Sequence, residues 1–407
     1  MGYRIKQKYT VSMQAILFFV LLFPFFQPMS INLLVENVNK NWKLLDYGYD
    51  GAKMVFASVG YMVWLYNRSR KSPDWMVLLI CNLAALALAS VMNGSGTVNV
   101  LRRYYVELGF AVLVSEMIQE APKTFLRAAV AVFAVYTIWG VLTIYLFPYG
   151  FFKAETVYDA IYGLGAKNNS FPFFFALFFF MIAENLERTG KITIGIVVLV
   201  LLTIIAGVIC ESVNTILCLL MVIAVVVLAV YVRPLLTAIN VKVLFLVLVL
   251  IMVCIYSGTQ FNVVGSLLKA LGRSATFSGR SVLWEQALQH LRENPLFGAG
   301  VDTIFTLASG VQTPHAHSQW MDKLAKYGLL PAMFVSLTIY LTFHRIRKHT
   351  DQYQATVYGL LLLIYLFHMS FDTYNYNFFT MFLIVINSSL YPPTSTKLHS
   401  GADSTAA

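Results

Sequence analysis

TFSGRSVLWEQALQHLRENPLFGAGVDTIFTLASGVQTPHAHSQWMDKLAKYG, residues 276–328, stands apart from a chain that is otherwise apolar and helical in pattern. It gathers glycines, basic residues and three histidines, His290, His315 and His317, with little hydrophobic continuity. Lipid does not hold such a backbone, because every polar group there needs an internal partner; the stretch belongs in water or along a cavity. Two short helices are expected inside it. In the first, Ser278 stands at the N-cap and Arg280 in the first turn, and Trp284, Ala287, Leu288 and Leu291 recur at helical spacing until Asn294-Pro295 ends the run. Four residues before Trp284, Arg280 heads the apolar stripe at a helix N-terminus that already favours an anion, so its guanidinium reads as a phosphate clamp. After the turn Gly298-Ala299-Gly300, the run Pro314-His315-Ala316-His317-Ser318 leads into a second helix with Trp320, Leu324 and Tyr327 on one side. His317, three residues before Trp320, is expected to share that face.

Outside this stretch the composition decides the class. With 58% apolar and 12% charged residues in 407, and a mean hydropathy of +0.70, the chain reads as an all-α polytopic membrane protein. Apolar runs near 12–34, 51–66, 75–92, 104–118, 126–147, 169–184, 192–210, 213–232, 241–257, 328–344, 355–369 and 374–391 predict about twelve transmembrane helices. The domain plan is one integral membrane domain over 1–407, an external functional loop at 258–327 between the ninth and tenth helices, and a polar cytoplasmic tail at 394–407. The apolar run that follows Arg4, Lys6 and Lys8 is too long for a signal peptide and lacks a small-residue cleavage site, so it reads as the first span. Cys81, Cys210, Cys218 and Cys254 fall within expected spans and read as packing residues.

Lys and Arg orient the chain. With the N-terminus in the cytoplasm, sixteen of the 29 fall in inner clusters, and seven lie on the opposite face outside the long loop. Both termini are therefore expected inside and the long loop outside. The net charge of +10 is largely that of cytoplasmic loops on an anionic leaflet and does not imply nucleic acid. Arg102, Arg103, Lys167 and Arg280 run against the rule, beside expected helix ends. Arg102-Arg103-Tyr104-Tyr105 has two readings, a pair of interfacial anchors or an anion site. Lys167 likewise reads as an anchor or as the lip of a polar vestibule with Asn168. The tight run Glu211-Ser212-Val213-Asn214-Thr215 has two readings, an ordinary tight outer turn or polar groups close to membrane depth, where they cost most and mark function by default. The last outer turn, with His368, Asp372, Asn375 and Asn377 among tyrosines, adds a patch suited to sugar faces and hydroxyls. Asn168, Asn214 and Asp372 are thus the expected substrate vestibule. His315 and His317 lack the carboxylate or cysteine company of a zinc site. One neutral imidazole is enough for general-base work, which is the role expected of the pair.

The run Ser278-Gly279-Arg280, Trp284, Asn294-Pro295-Leu-Phe-Gly298-Ala-Gly300, His315-Ala-His317 and Gly328 resembles the signature loop of the O-antigen ligase and polysaccharide polymerase superfamily. Gly163-Leu-Gly-Ala-Lys167-Asn168 and Ser212-Val-Asn-Thr215 are similar to two weaker segments of the same superfamily, so that the likeness covers roughly residues 160–330. The resemblance implies a metal-independent, inverting membrane glycosyltransferase without a cofactor. Its donor is a glycan on undecaprenyl diphosphate, and its acceptor is a glycan or lipid-glycan hydroxyl on the external face of the bacterial inner membrane. On this likeness Arg280 matches the arginine that contacts the donor diphosphate, and His317 matches the histidine that activates the acceptor. The serine-rich turn departs from the pattern: relatives often carry a basic residue where this chain has Asn214, which leaves Arg102, Arg103 or Lys167 to supply that charge. The carrier's lipid tail is expected between spans, beside the Phe-rich sixth helix. A glycan exporter or flippase is the alternative; it would share the span count and basic cavity but would not need an ordered Arg-helix-His loop.

Overall fold

The computed structural model describes residues 13–37, 40–67, 74–94, 97–152, 160–256, 280–349 and 351–390. The expected N-cap Ser278, the first part of the long loop, the N-terminal basic cluster and the 394–407 tail lie outside the described residues.

The chain is all-α apart from two tiny hairpins. The first expected span arrives as two helices, α1 (Met13–Phe26) and α2 (Met29–Val35 in its straight part), which meet at a 52° bend. Pro28 at the junction has no N–H to give, and the helical ladder stops there. Then come α3 (Lys43–Tyr66), α4 (Asp74–Met92), α5 (Thr97–Glu120) and α6 (Pro122–Leu146). The hairpin β1 (Ile161–Tyr162) and β2 (Gly165–Ala166) leads through one 3₁₀ turn into α7 (Phe171–Thr189). After it follow α8 (Gly195–Ile209), α9 (Val213–Tyr231), α10 (Arg233–Ala238) and α11 (Val241–Tyr256). The long loop contributes α12 (Arg280–Glu293), the hairpin β3 (Phe305–Thr306) and β4 (Gln312–Thr313), and α13 (Gln319–Tyr327). The chain closes with α14 (Leu329–Lys348), α15 (Gln352–Met369) and α16 (Tyr376–Leu390).

Every expected span coincides with a helix, but length and apolarity qualify fewer of them. Among the described residues five helices are long and apolar enough to cross a membrane, six if the bent α1–α2 pair is one span. The reasons are local. α8 and α11 have 15 and 16 residues, and at about 1.5 Å per residue they fall short of a hydrocarbon core of about 30 Å. α5 carries Arg102, Arg103, Glu107 and Glu116 along its length.

The Phe-rich helix has a different place from the one expected. α7 is the buried centre of the bundle: Phe178, Phe179 and Phe180 are wholly buried. Phe180 stacks on Phe133 at 5.4 Å and Phe179 packs on Phe382 at 4.6 Å. An aromatic row with rings on all sides has neighbours all round it, and no lipid tail lies along it.

The polar connections collect at one end of the bundle and tie to each other. Ser30 Oγ donates to Gly163 O at 2.6 Å, Asn93 Nδ2 to Phe297 O at 2.8 Å, Asn375 Nδ2 to Phe25 O at 3.1 Å, and Gln319 N to Asp372 O at 3.0 Å. The turn after α12 is clamped to the end of α13 by backbone alone: Ala299 N donates to Ala325 O at 2.8 Å and Gly300 N to Lys326 O at 3.0 Å. Gly298 makes this possible. It has φ +68°, and a Cβ there would stand 2.4 Å from the Lys326 carbonyl carbon. Gly310 has φ +82° but open space around it. Gly310→Ala should therefore cost only the left-handed backbone term, about 1–2 kcal/mol, while Gly298→Ala should cost clearly more. Thermal midpoints of loop protection against a protease in detergent check this; equal midpoints for the two variants would contradict the clamp.

Candidate functional site

The loop's first helix, described from Arg280 onward, buries Leu283, Trp284 and Ala287 against α13. Trp284 holds the turn before α13. Its Nε1 donates to Ala316 O at 3.1 Å, and its ring meets Tyr256 edge-on at 5.0 Å. From the other side Asp322 Oδ1 accepts from Ala316 N at 3.2 Å and pairs with Lys326 Nζ at 3.1 Å. Lys326 in turn donates to Pro314 O. Burial alone would push the Asp322 carboxyl up; His315 and Lys326 beside it hold it below its ordinary range.

These contacts correct the expected placement of His317. It does not lie on the second helix beside Trp320. Ser318 is the N-cap, with its Oγ accepting from Met321 N at 3.3 Å, so the helical stripe starts beyond His317. His317 itself takes φ +49°, a left-handed conformation costly for a residue with a Cβ. Ser318 Oγ meets Tyr256 OH at 3.0 Å, and that phenol donates to Ser370 O at 2.8 Å. The imidazole is therefore aimed by a pinned backbone and not by a helix face.

Around His317 the structure assembles Arg280, His315 and Asp372, each near enough to act on it electrostatically. Burial comes first among the causes that lower its pKa; Arg280 and His315 push the same way, while Asp372 and Asp322 oppose them. The imidazole is thus held neutral to a lower pH than the ordinary value of about 6.5. Asp372, expected only in the vestibule, proves to be the neighbouring carboxylate. It is buried, its Oδ1 accepts from Thr373 N at 3.0 Å, and its Oδ2 has no hydrogen-bond partner among the described residues. His368 was not expected in the site and stands behind it, in reach of the Arg280 charge. Its ring stacks on Phe171 at 3.6 Å and its Nε2 lies 3.5 Å from Tyr374 OH. A signal for this group was present: two ionisable residues, His368 and Asp372, flank one turn between two apolar helices.

The remaining expected residues divide. Asn168 Oδ1 accepts from Ser212 Oγ at 2.7 Å, and Asn214, in the first turn of α9 just after it, has its amide nitrogen buried without a partner among the described residues. Asn214 Oδ1 lies 3.8 Å from Cys218 Sγ, and Cys218 lies near Tyr374, which joins this turn to the His368 side of the site. Lys167 is exposed beside the same turn, near Cys210. Arg102 and Arg103 are not brought to Arg280. Arg102 reaches Asp50 at 3.7 Å, and Arg103 pairs with Glu107 at 3.1 Å and lines a polar cavity that does not include Arg280. Among the described residues no three His, Cys, Asp or Glu side chains group as a metal site would require.

Two cavities flank α13. One, of about 630 Å³, is walled by apolar side chains of α4, α11 and α14, including Leu86, Phe245, Leu248 and Met252, and ends at Tyr256, Gln319 and Ser370. The other, of about 450 Å³, is polar and lined by His315, Gln319, Asp322 and Lys323 together with side chains of α3, α5 and the last turn.

Comparison with known families places residues 198–336, about a third of the chain, in the O-Antigen ligase family model. That range holds Asn214, Arg280, His315 and His317, so the resemblance read from the loop motifs is borne out there. No curated protein matches the chain.

The charges around His317 make opposite predictions for their removal. Arg280→Gln should raise the pH at which the imidazole titrates, and Asp372→Asn should lower it. The acid limb of a pH–rate profile, or the ¹⁵N shifts of labelled histidine in detergent, reads the midpoint. Shifts of the same sign in both variants would show that His317 does not sit between these charges.

Proposed function

With an O-antigen ligase segment that carries Arg280 and His317, we propose that the chain is a membrane glycosyltransferase. It transfers a glycan from undecaprenyl diphosphate to an acceptor hydroxyl at the external face of the bacterial cytoplasmic membrane, as a surface-polysaccharide polymerase or an O-antigen ligase. The observation that supports this reading is a strained turn, held by Trp284 and Asp322, whose imidazole at His317 feels both the Arg280 cation at the head of α12 and the buried Asp372 carboxylate after α15. Lys and Arg bias supports both termini inside and the loop outside. The shorter and more charged helices are proposed to cross with the six, because they pack in the same bundle.

In the proposed reaction the acceptor oxygen attacks the anomeric carbon from the face opposite the diphosphate. The new C–O bond forms as the bond to the phosphate oxygen breaks, and the configuration inverts. His317 takes the proton of the hydroxyl, and Asp372 stabilises the imidazolium that results. Arg280 meets the charge that develops on the leaving diphosphate with a planar, bidentate fork. Charge supplied in this way needs no divalent ion. The apolar cavity of about 630 Å³ that ends at Tyr256 and Gln319 suits the first part of the carrier's tail. Tyr256 touches Ser318, which puts the polar end of that cavity next to His317 in the chain.

Transfer assays in membranes with lipid-linked donor test the roles. Arg280→Lys should be nearly as damaging as Arg280→Ala, because lysine keeps the charge and loses the fork. His317→Ala and His317→Gln should each lose about 10²–10⁴ in rate, with His315→Ala losing less. Near-normal turnover by Arg280→Ala, or by His317→Gln, would end the respective assignment. Deletion of the gene tells polymerase from ligase: single lipid-linked repeat units accumulate in the first case and long lipid-linked chains in the second.

A further inference from the structure

The polar cavity of about 450 Å³ on the outer side of α13 has a charge balance that the donor does not explain. Four cations line it, Lys53, Arg103, Lys323 and Lys326, against one lining carboxylate, Asp322. Three of the four have carboxylate partners at 3.1 Å: Lys53 with Asp50, Arg103 with Glu107, and Lys326 with Asp322. Lys323 has none within ion-pair distance among the described residues, and it stands where this cavity meets the apolar one, whose lining it shares. Its ammonium rests between two aromatic rings, 4.9 Å from the centre of Tyr327 and 5.0 Å from that of Tyr376. Such rings hold a cation in place without neutralising it. Burial alone would raise the Tyr327 phenol, yet Lys323 and Arg103 bring it below its ordinary value, a second sign of positive potential. Lys53 and Arg103 also run against the distribution of basic residues that orients the chain, a cost that an anionic ligand offsets.

The cavity adjoins the proposed chemistry. His315 and Gln319 line it, and Gln319 N is bonded to Asp372 O. Lys323 is one helical turn from Gln319. Amide side chains, Asn32, Asn169 and Asn375 among them, line the rest and suit sugar hydroxyls. Arg280 and His317 are not among the lining residues. One uncompensated cation matches one singly charged group; a diphosphate would require several.

We infer that this cavity is the acceptor-glycan subsite and that Lys323 selects a glycan with an acidic sugar, a uronate-type carboxylate, at or next to the accepting hydroxyl. The inference rests on the polymerase form of the glycosyl-transfer reading above, in which the accepting glycan is itself lipid-linked, and narrows its substrate class.

The test uses lipid-linked glycan isolated from a strain that lacks the gene. It is supplied to membranes either as isolated or after carbodiimide and borohydride reduction of its carboxyls to alcohols, with the diphosphate linkage left intact. Wild-type turnover should fall at least roughly tenfold on reduction, as expected for loss of a charged hydrogen bond. Lys323→Gln should turn over both forms at similar rates, and Lys323→Arg should restore the preference, which separates loss of charge from loss of fold. Equal wild-type turnover of the two forms, or an isolated glycan without any acidic sugar, would overturn the inference and leave glycosyl transfer standing. Failure of the wild type to transfer either form would instead sink the transferase reading itself.

Discussion

A largely buried charge pair is the constraint on which the loop depends. Asp322 and Lys326 are both buried, one turn apart on α13, and between them they hold the backbone from Pro314 to Ala316. Removing one partner of such a pair costs about 3–5 kcal/mol, because the other charge stays buried alone. Trp284 closes the same turn from α12. The left-handed strain at His317 is tolerated because groups on two helices over-determine the turn that precedes it. The geometry of the His317 turn is thus held by buried polar structure in a part of the chain that has little apolar continuity of its own.

Local pattern made much of this legible. Apolar runs place the helices of the bundle, and the Asn294-Pro295 break and the Trp284 stripe delimit the first loop helix, because periodicity and proline chemistry are properties of neighbouring residues. The errors share the opposite cause. The spacing of His317 and Trp320 implies one face only if the helix includes both, and Ser318 caps it in between. The phenylalanines of α7 look suited to lipid, yet their surroundings come from α6 and α16. Arg102 and Arg103 find Asp50 and Glu107, of which the first lies on another helix. The approach of Asp372 to His317 links positions far apart in the chain, and no local signal reports such a distance.

The site divides its work by environment. An apolar cavity ends at Tyr256 and Gln319, a polar cavity opens on the other side of α13, and Gln319 and Lys323, which line both, stand at their junction. A lipid carrier and a hydrophilic glycan need such an arrangement to meet, since one must stay in hydrocarbon while the other stays in water. In the proposed reaction the neutral imidazole and the guanidinium answer the two charge changes, a proton leaving the acceptor and a diphosphate leaving the donor.

The central claim is that the bond between glycan and diphosphate breaks at this site. Purified protein in liposomes, given a lipid-linked glycan labelled in both the sugar and the diphosphate, tests it directly. The account predicts one free undecaprenyl diphosphate for every glycan joined to an acceptor, with both products lost together in His317→Ala. Glycan that crosses the bilayer still attached to its diphosphate, with no carrier released, would contradict it and identify an exporter.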